Sequence, residues 1–332
     1  MAREMYQTAY HGDVDLRAHS FLITGGAGFI GSHIVEYLLT FGAGKVRVLD
    51  NLITGRYENI RPFEDHPNFE YVEGDIRDTA VCMKACRGID YVSHQAALGS
   101  VPRSIKDPAR TNAINVSGFL DVLMAANEHD VRRVVFASSS SVYGDAPQLP
   151  KLEENIGNPL SPYAVSKRTN ELYAKVFQMT YGLEVIGLRY FNVFGPRQDP
   201  NGPYAAVIPI FIDRLNRGEA VSIDGDGEQT RDFTFVENAV QANIRALFTR
   251  EDGATGEIYN VAYGENYSVN HLYRVIADAL DTDQSANHRE ARVGDVRNSL
   301  ADVSKARRFL GYDPLFSFND GIPLTVDFYL GR

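Results

Sequence analysis

The stretch FLITGGAGFIGSH, residues 21–33, decides the fold of this chain. It begins with a short apolar run, continues with glycines at GxxGxxG spacing, and opens a helical pattern over 29–40. The glycines are Gly25, Gly28 and Gly31. Between a strand and a helix, such glycines permit a tight turn and a close approach of the backbone to a pyrophosphate, whose charge the helix N-terminus stabilises. The stretch therefore predicts a dinucleotide site where the first strand ends.

The rest of the first half repeats this order of elements. Short apolar runs such as VRVLD and VRRVVFAS alternate with helical patterns, of which the longest cover 108–128 and 162–181. The runs lack polar alternation, which is typical of strands buried on both faces, and strands separated by helices form parallel, doubly wound sheets. We therefore expect an α/β fold, a Rossmann-type doubly wound parallel sheet with a smaller C-terminal substrate lobe.

The pattern changes after Tyr190, where prolines become frequent and the polar loop DGDGEQTRD follows. We predict that the dinucleotide-binding domain covers 19–189 and that a segment near 233–263 returns to it. The remaining segments, 190–232 and 264–332, are predicted to form the substrate lobe.

The composition argues against several classes of function. The 332 residues are 44% hydrophobic and 23% charged, with a formal net charge of −10, which argues against nucleic acid or an anionic membrane as the main partner. The chain contains no apolar run of membrane-spanning length and its N-terminus does not resemble a signal peptide, so we expect a cytoplasmic protein. Its only cysteines, Cys82 and Cys86, have no nearby histidine cluster, and we predict neither a disulfide nor a metal site.

Two acidic residues follow predicted strands near the glycines. Asp50 lies 22 residues beyond Gly28, where a carboxylate accepts hydrogen bonds from the ribose hydroxyls and repels a 2′-phosphate. This position favours NAD over NADP. Asp75 in EGDIRD is a candidate for the adenine edge, although an acidic residue after a strand more often only caps a helix.

A second chemical signal is Tyr163 with Lys167 in SPYAVSKR. Residues four apart on a helix share a face, so the ammonium can lie near the phenol. A phenol with its ordinary pKa near ~10 is a poor base at neutral pH unless a neighbouring cation stabilises the phenolate. The pair is therefore predicted to be catalytic.

Five motifs together carry a resemblance to a known family: TGGAGFIG, HQAA, SSSSVYGD, YAVSK and RYFNVFGPRQ. With them the chain resembles the extended short-chain dehydrogenase/reductase family, the NAD-dependent nucleotide-sugar epimerases and dehydratases, from Phe21 to the C-terminal region. Within that family, LGSVPRSIKDP and RQDPNGPYAAVIP are most similar to bacterial UDP-N-acetylglucosamine 4-epimerases. The resemblance implies NAD as cofactor and a UDP-sugar as substrate.

The resemblance also implies which residues form the site. The implied NAD contacts are Gly25, Gly28, Phe29, Ile30, Gly31, Asp50, Asn51, Asp75, Ile76, Gln95, Ala96, Ala97, Tyr163 and Lys167. The implied substrate contacts are Gly99, Ser100, Ser139, Ser140, Ser141, Asn192, Ala206, Val207, Arg231, Arg292, Asp295 and Ser299. Of these, Arg231 and Arg292 resemble the family's diphosphate-contacting residues.

The serine run of FASSSSVYGD separates the reactions within the family. Ser139 falls where the family keeps a Ser or Thr between the sugar 4-hydroxyl and the catalytic tyrosine. Ser140 and Ser141 fall where sugar 4,6-dehydratases have an Asp-Glu pair, and UDP-glucuronate decarboxylases tend to have Glu at the second position. Because serine cannot replace these acids and bases at neutral pH, the resemblance implies epimerisation.

The implied mechanism begins with removal of the 4-hydroxyl proton by Tyr163, which Lys167 holds as phenolate and Ser139 assists, while the C4 hydride passes to NAD. The 4-keto sugar then presents its other face and is reduced again. Because no net oxidation occurs, NAD is expected to stay bound.

Ser299 suggests the substrate. It aligns with a position where epimerases restricted to UDP-glucose and UDP-galactose have a bulky tyrosine, so serine leaves room for an N-acetyl group. We therefore predict a UDP-N-acetylglucosamine 4-epimerase, with UDP-glucose and UDP-galactose as further candidate substrates. The alternatives are a UDP-glucuronate 4-epimerase, for which Arg103 or Arg197 would have to bind the carboxylate, and a non-catalytic nucleotide-sensing protein on the same fold. By analogy with related enzymes, helices 108–128 and 162–181 are expected to pair with their copies in a homodimer.

Overall fold

The computed structural model describes residues 4–201, 205–290 and 297–332. The described strands are β1 Ser20–Thr24, β2 Lys45–Asp50, β3 Phe69–Glu73, β4 Tyr91–His94, β5 Arg133–Ser139, β6 Glu184–Tyr190, β7 Val193–Phe194, β8 Val221–Asp224, β9 Thr230–Arg231, β10 Thr234–Phe235, β11 Ile258–Val261, β12 Tyr267–Ser268 and β13 Ala286–Arg289. The described α-helices are α1 Phe29–Thr40, α2 Thr79–Cys86, α3 Val101–Lys106, α4 Pro108–Asn112, α5 Gly118–Glu128, α6 Pro162–Tyr181, α7 Val207–Asn216, α8 Val236–Phe248, α9 Val269–Ala279, α10 Ser304–Leu310 and α11 Phe318–Leu330.

The main sheet is parallel, seven-stranded, and ordered β11-β6-β5-β4-β1-β2-β3. From β1 the chain builds outward to β3, and it then returns to the other side of β1 with β4. The last residue of β1, Thr24, pairs with Leu49 on one side and with His94 on the other. In such sheets the crevice beyond the carboxyl ends of the strands, at this reversal, is where ligands bind. The predicted Rossmann-type α/β fold is confirmed.

Both faces of the sheet are covered by helices. Helices α1 and α8 pack together on one face, and α2, α5 and α6 cover the other. A separate apolar cluster, built mainly from α7, α9 and α11, forms the core of the C-terminal lobe. Helix α10 packs against α8 and β11 beside the main sheet. The division of the chain into two lobes at the residues given above stays a prediction.

The helix predicted over 108–128 is divided in three. A π-helical turn, Ala113–Ser117, separates α4 from α5. Its Asn115 is buried and accepts a hydrogen bond from the backbone N–H of Leu98 at 2.7 Å, while its amide nitrogen lies 3.1 Å from Ser166 Oγ on α6. The wider turn is therefore associated with a side chain that joins the β4–α3 loop to α6, in line with the frequent occurrence of π-turns at functional sites.

The turn between β1 and α1 depends on two of its glycines. Gly25 has φ +69°, and a Cβ there would lie 2.6 Å from the backbone nitrogen of Ala96. At Gly31 a Cβ would lie 2.2 Å from the carbonyl oxygen of Gly25. Because backbone atoms block both positions, only glycine fits the turn as it is built.

We expect Gly31→Ala to lower the free energy of unfolding by about 1–3 kcal/mol, since backbone of the turn has to move. Gly28→Ala is the matched control, because a Cβ there meets Gly25 O at 3.1 Å and φ is −78°. Guanidinium chloride unfolding of both variants measures the difference. Equal destabilisation by the two substitutions would contradict the assignment of Gly31 as the position of closest contact.

Candidate functional site

A cavity of about 420 Å³ opens beyond the carboxyl ends of β1, β2, β4, β5 and β6. It brings together most of the residues predicted to contact a cofactor: Gly25, Gly28, Phe29, Ile30, Gly31, Asp50, Asn51, Ile76, Gln95, Ala96, Ala97, Tyr163 and Lys167. Three predicted substrate contacts, Gly99, Ser139 and Asn192, also line it. The sequence patterns therefore converge on one cavity at the point where the strand order reverses.

Asp50 is held at the end of β2 by backbone donors. One carboxylate oxygen accepts the N–H of Ala27 at 3.0 Å and the other accepts the N–H of Leu52 at 2.8 Å. Burial raises the pKa of the Asp50 carboxyl, and these backbone hydrogen bonds act in the opposite direction. Fixed in this way, the carboxylate matches the hydroxyls of a ribose and opposes a 2′-phosphate.

Asp75 has a different setting. The Arg77 guanidinium donates to both of its oxygens, at 3.0 and 2.7 Å, and Asn51 donates to it at 2.9 Å. The hydrogen bond from Arg77 is the main reason that the pKa of Asp75 is lowered to about 2. Asp75 is not among the residues that line the cavity, whereas its partner Asn51 is. The structure thus places Asp75 behind Asn51, and its predicted contact with adenine stays a prediction.

Tyr163, Lys167 and Ser139 meet at the other end of the cavity. Helix α6 begins at Pro162, and its N-cap Ser161 accepts the N–H of Ala164 at 3.1 Å. The first two turns carry both predicted catalytic residues, and Lys167 Nζ lies 6.0 Å from the centre of the Tyr163 ring. The same Nζ donates to the carbonyl of Ala137 on β5 at 2.7 Å.

The environment shifts both pKa values. Burial raises the pKa of the Tyr163 phenol, and its hydrogen bond with Ser139 lowers it. Burial lowers the pKa of Lys167 to about 8, and the nearby Glu171 carboxylate raises it. Lys167 is only 2% exposed, so its charge is poorly screened by water. The net effect on Tyr163 is a raised pKa, so further positive charge at the ring is needed to favour the phenolate at neutral pH.

The serine run begins with the last two residues of β5, Ser138 and Ser139. Ser138 donates to Glu171 at 2.6 Å and Ser141 donates to Ser139 Oγ at 3.0 Å. Ser138 and Ser139 line the cavity, while Ser140 and Ser141 are half-buried in the 3₁₀ turn Ser140–Tyr143 next to it and do not line it.

Among the described residues that line this cavity, Asp50 is the only carboxylate. It ends β2, which is separated from β5 by β1 and β4. β2 and β5 are therefore three strand spacings apart, which is roughly 14 Å. The Tyr163 end of the cavity therefore has no lining carboxylate, within the part of the chain that the structure describes, that could serve as acid or base for elimination.

A second cavity, of about 430 Å³, lies in the C-terminal lobe and shares Asn192 with the first. Val207 at the start of α7 and Arg231 on β9 line it, as predicted substrate contacts. Its other described lining residues are Ala205, Ile210, Phe211, Arg214, Ser222, Ile223, Asp224, Gln229, Phe233, Val269 and Arg289. The two cavities together can hold a ligand that extends from the Tyr163 end into the lobe.

The remaining predicted substrate contacts have varied positions. Ser299 lies beside β9, where its N–H donates to Thr230 O at 3.1 Å, and it lines neither cavity. Ser100 caps α3 by accepting the N–H of Arg103 at 3.2 Å, and Ala206 is the N-cap residue of α7. Arg292 and Asp295 lie outside the described residues.

Behind the cavity lies a buried amide network that no sequence pattern indicated. Gln95 donates to Asn243 Oδ1 at 3.0 Å and accepts from the Tyr190 hydroxyl at 3.1 Å, and Asn243 donates to the same hydroxyl at 2.7 Å. Because Asn243 lies on α8, nearly 150 residues further along the chain, no local pattern could have indicated this contact. The network fixes two lining side chains, Gln95 and Tyr190.

Comparison with known proteins identifies the family. A sequence model of the family described as "NAD dependent epimerase/dehydratase family" matches residues 21–262. A curated relative from Methanocaldococcus jannaschii, named putative UDP-glucose 4-epimerase, is 40% identical over 308 residues, which are 92% of this chain and 97% of the relative. The chain belongs to the NAD dependent epimerase/dehydratase family.

Solved structures of this family are similar over almost their whole length. The UDP-N-acetylglucosamine 4-epimerase from Methanobrevibacter ruminantium M1, in complex with UDP-N-acetylmuramic acid, is 41% identical with a TM-score of 0.89, covering 94% of this chain and 98% of that one. The UDP-glucuronic acid 4-epimerase from Bacillus cereus, in complex with UDP-glucuronic acid and NAD, is 30% identical with a TM-score of 0.87, covering 94% and 99%.

Family membership confirms the predicted NAD cofactor. The first cavity fits that cofactor, because Gly25, Gly28 and Gly31 line it without side chains at the start of α1, and the Asp50 carboxylate lines it as well. Across the described ranges, no cluster of three or more His, Cys, Asp or Glu has the arrangement of a metal site. Nor does any described helix combine the length and the apolar character needed to cross a bilayer.

We expect Lys167→Met to stabilise the fold at pH 7 while removing activity, because a buried ammonium is replaced by an apolar side chain. The folded-state pKa of Lys167, about 8, lies below its ordinary 10.5, so the unfolded chain binds more protons between these values and stability of the parent rises with pH there. The advantage of the variant should therefore shrink by about 2 kcal/mol between pH 7 and pH 9.5.

Denaturant unfolding of both proteins at a series of pH values measures this difference. At each pH the parent protein is the control for the variant. A constant difference from pH 7 to 9.5 would mean that burial does not lower the pKa of Lys167.

Proposed function

We propose that this NAD-dependent UDP-sugar 4-epimerase interconverts UDP-GlcNAc and UDP-GalNAc, and to a lesser extent UDP-glucose and UDP-galactose, through a transient 4-keto sugar. The observation that carries the proposal is the meeting of Ser139, Tyr163 and Lys167 at a cavity end without a lining carboxylate among the described residues. That set removes and returns a hydroxyl proton, and it offers no partner acid or base for elimination.

The residues divide the proton chemistry between them. Tyr163 takes the proton of the sugar 4-hydroxyl and returns it after the sugar has presented its other face. Lys167 favours the phenolate by its charge, and Ser139, hydrogen-bonded to the phenol, orients it toward the sugar. Bound NAD supplies the oxidation and the re-reduction at C4.

Firm binding of the nucleotide allows the sugar to turn. The second cavity is large enough for a nucleoside, and Arg231 lies on its wall with its Nη1 donating to Thr230 O at 2.8 Å. We assign the diphosphate to Arg231, together with Arg292. Asn192, shared by the two cavities, marks the passage between cofactor and substrate.

Ser299 supports the N-acetylated substrate. Its backbone N–H donates to Thr230 O, and the next residue along β9, Arg231, lines the second cavity. A small residue there leaves space for the acetamido group at C2. The similarity to the Methanobrevibacter ruminantium enzyme, named for UDP-N-acetylglucosamine, agrees with this assignment.

A UDP-glucuronate 4-epimerase is the second candidate, favoured by the similarity to the Bacillus cereus enzyme. Such an enzyme needs a cation for the sugar carboxylate. Arg197 is an unsuitable source, because its guanidinium is paired with Glu36 on α1 and it lines neither cavity. Arg103 on α3 would have to supply it. A nucleotide-sensing role without catalysis does not require the joint placement of Ser139, Tyr163 and Lys167.

The first experiment incubates purified protein, without added cofactor, with UDP-GlcNAc, UDP-glucose and UDP-glucuronate in parallel, and follows the anomeric protons by NMR. We expect UDP-GalNAc to form. Ser299→Tyr should lower kcat/KM for UDP-GlcNAc about 10- to 100-fold by filling the space for the acetamido group, with little effect on UDP-glucose.

Ser299→Ala is the matched control and should keep the parent's ratio of the two activities. Equal losses on both sugars with Ser299→Tyr would contradict the role of Ser299. Turnover of UDP-glucuronate alone would favour the second candidate, and no turnover of any sugar, even with NAD supplied, would contradict the proposal.

We further propose that the protein is a homodimer formed through α5 and α6. These helices pack side by side, and α6 exposes Val165, Leu172, Val176 and Met179, each between 51% and 75% exposed. Their spacing places them on one face of the helix, and Met124 of α5 is 43% exposed. Such a contiguous apolar stripe is unusual on a monomer and suits pairing with a second copy.

We expect Val176→Glu to convert the dimer to a monomer, because a carboxylate would be buried without a partner at the interface. Phe328→Glu is the control, since Phe328 is 45% exposed on α11, outside the stripe. Sedimentation velocity of the parent and the two variants measures their oligomeric state. A parent that sediments as a monomer, or a Val176→Glu variant that stays dimeric, would contradict the proposed interface.

A further inference from the structure

The segment 4–14, which we call the N-terminal strap, precedes β1 and lies outside the range matched by the family. It contains two buried tyrosines, Tyr6 at 9% and Tyr10 at 1% exposure, which belong to the apolar core of the α1 and α8 face. The strap is therefore a packed part of the molecule.

Hydrogen bonds attach the strap to α8 and α1. The backbone N–H of Tyr6 and the hydroxyl of Tyr10 both donate to Glu237 Oε1, at 3.0 and 2.5 Å. The Tyr10 ring stacks on Tyr37 of α1 with centroids 5.3 Å apart, and the Tyr37 hydroxyl accepts the N–H of Tyr10 at 2.6 Å.

A second set of contacts leads from the strap toward the cavities. The Tyr6 hydroxyl lies 2.5 Å from His33 Nδ1, and His33 Nε2 lies 3.0 Å from the carbonyl oxygen of Pro196. Because a carbonyl only accepts, Nε2 carries the hydrogen, and because burial lowers the pKa of His33 to about 3, the ring is neutral. Nδ1 is then an acceptor, so the tyrosine donates. The order of donation is Tyr6, His33, Pro196.

Pro196 belongs to a segment, 192–198, that forms the wall between the cavities. Asn192 lines both cavities, and Val193 and Gln198 line the first. Two of its non-glycine residues have left-handed backbone, Asn192 with φ +33° and Arg197 with φ +66°. Such conformations are unfavourable and persist only where the surroundings hold them.

The surroundings that hold this wall are on α1 and in the strap. Arg197 is paired with Glu36, and the carbonyl before it is bound by His33. Of these two α1 residues, His33 contacts Tyr6 directly, with ring centroids 6.2 Å apart. The left-handed wall is thus supported from behind by a residue about 190 positions away in sequence.

We propose that Tyr6 is a positioning residue for substrate binding: through His33 it fixes the Pro196 carbonyl, and so holds the 192–198 wall in the conformation that accepts the UDP-sugar. The substrate part of this inference rests on the proposed function. The relay from Tyr6 to the wall stands on the contacts alone.

The test compares Tyr6→Phe with Tyr10→Phe in the full-length chain. Each variant keeps its ring and loses one hydroxyl, but only the first hydroxyl leads to the wall. We expect Tyr6→Phe to speed amide hydrogen exchange in 192–198 and to raise KM for the UDP-sugar about 3- to 10-fold, the effect of one hydrogen bond, with kcat little changed. Tyr10→Phe should lower Tm while leaving wall exchange and KM within about twofold of the parent.

The outcomes distinguish the relay from Tyr6 to the wall from the effect of that relay on substrate binding. Unchanged exchange in 192–198 with Tyr6→Phe, or equal changes in both variants, would overturn the relay. Faster exchange with unchanged KM would overturn the link to substrate binding. If the parent turned over no UDP-sugar, the proposed function would fail, and the exchange data alone would decide the relay.

Discussion

The carbonyl of Gly25 leaves no room for a side chain at Gly31, and the site depends on that contact. Because the turn is so tight, α1 starts directly beyond β1 and its N-terminus faces the crevice where the strand order reverses. Asp50 reaches into the same turn to accept the N–H of Ala27. One steric constraint therefore sets the cofactor cavity, the direction of the helix dipole and the position of the Asp50 carboxylate.

The opposite end of the cavity is organised by charge. Lys167 is a buried cation whose Nζ has the Ala137 carbonyl as acceptor and whose charge is favoured by Glu171. Glu171 is itself paired with the buried Arg189, which keeps its pKa low despite burial. A buried ion pair contributes little net stability, but removing one partner leaves an uncompensated charge. This pair keeps Glu171 ionised near the buried Lys167 and so favours the charge of the lysine.

Local sequence predicted the elements whose causes are local. Helices α1 and α6 have the predicted bounds because an apolar periodicity runs through each, and Ser161 with Pro162 marks the start of α6. The glycine spacing indicated the first cavity, and the family resemblance implied most of its lining residues. The π-turn at 113–117 has no such signal, because it accompanies contacts of Asn115 with Leu98 and Ser166 that exist only in the fold.

Elsewhere, long-range contacts limited what could be predicted from the sequence. Arg197 looked able to serve a sugar carboxylate, yet it is paired with Glu36, a partner far away in sequence. The first 18 residues carried no pattern that indicated a role, because the groups that hold Tyr6 and Tyr10 lie on α1 and α8. The predicted lobe boundaries rest on composition, and α10, predicted in the substrate lobe, packs beside the main sheet.

The strap has a consequence for synthesis on the ribosome. Tyr6 is made well before the carboxylate that binds its backbone, Glu237, which lies 231 residues later. At ordinary rates of translation, that interval lasts roughly 10–50 s. During this time the strap can reach its aromatic partners on α1, but the carboxylate on α8 that binds both tyrosines does not yet exist. The strap is thus among the last parts of the domain that can complete their native contacts.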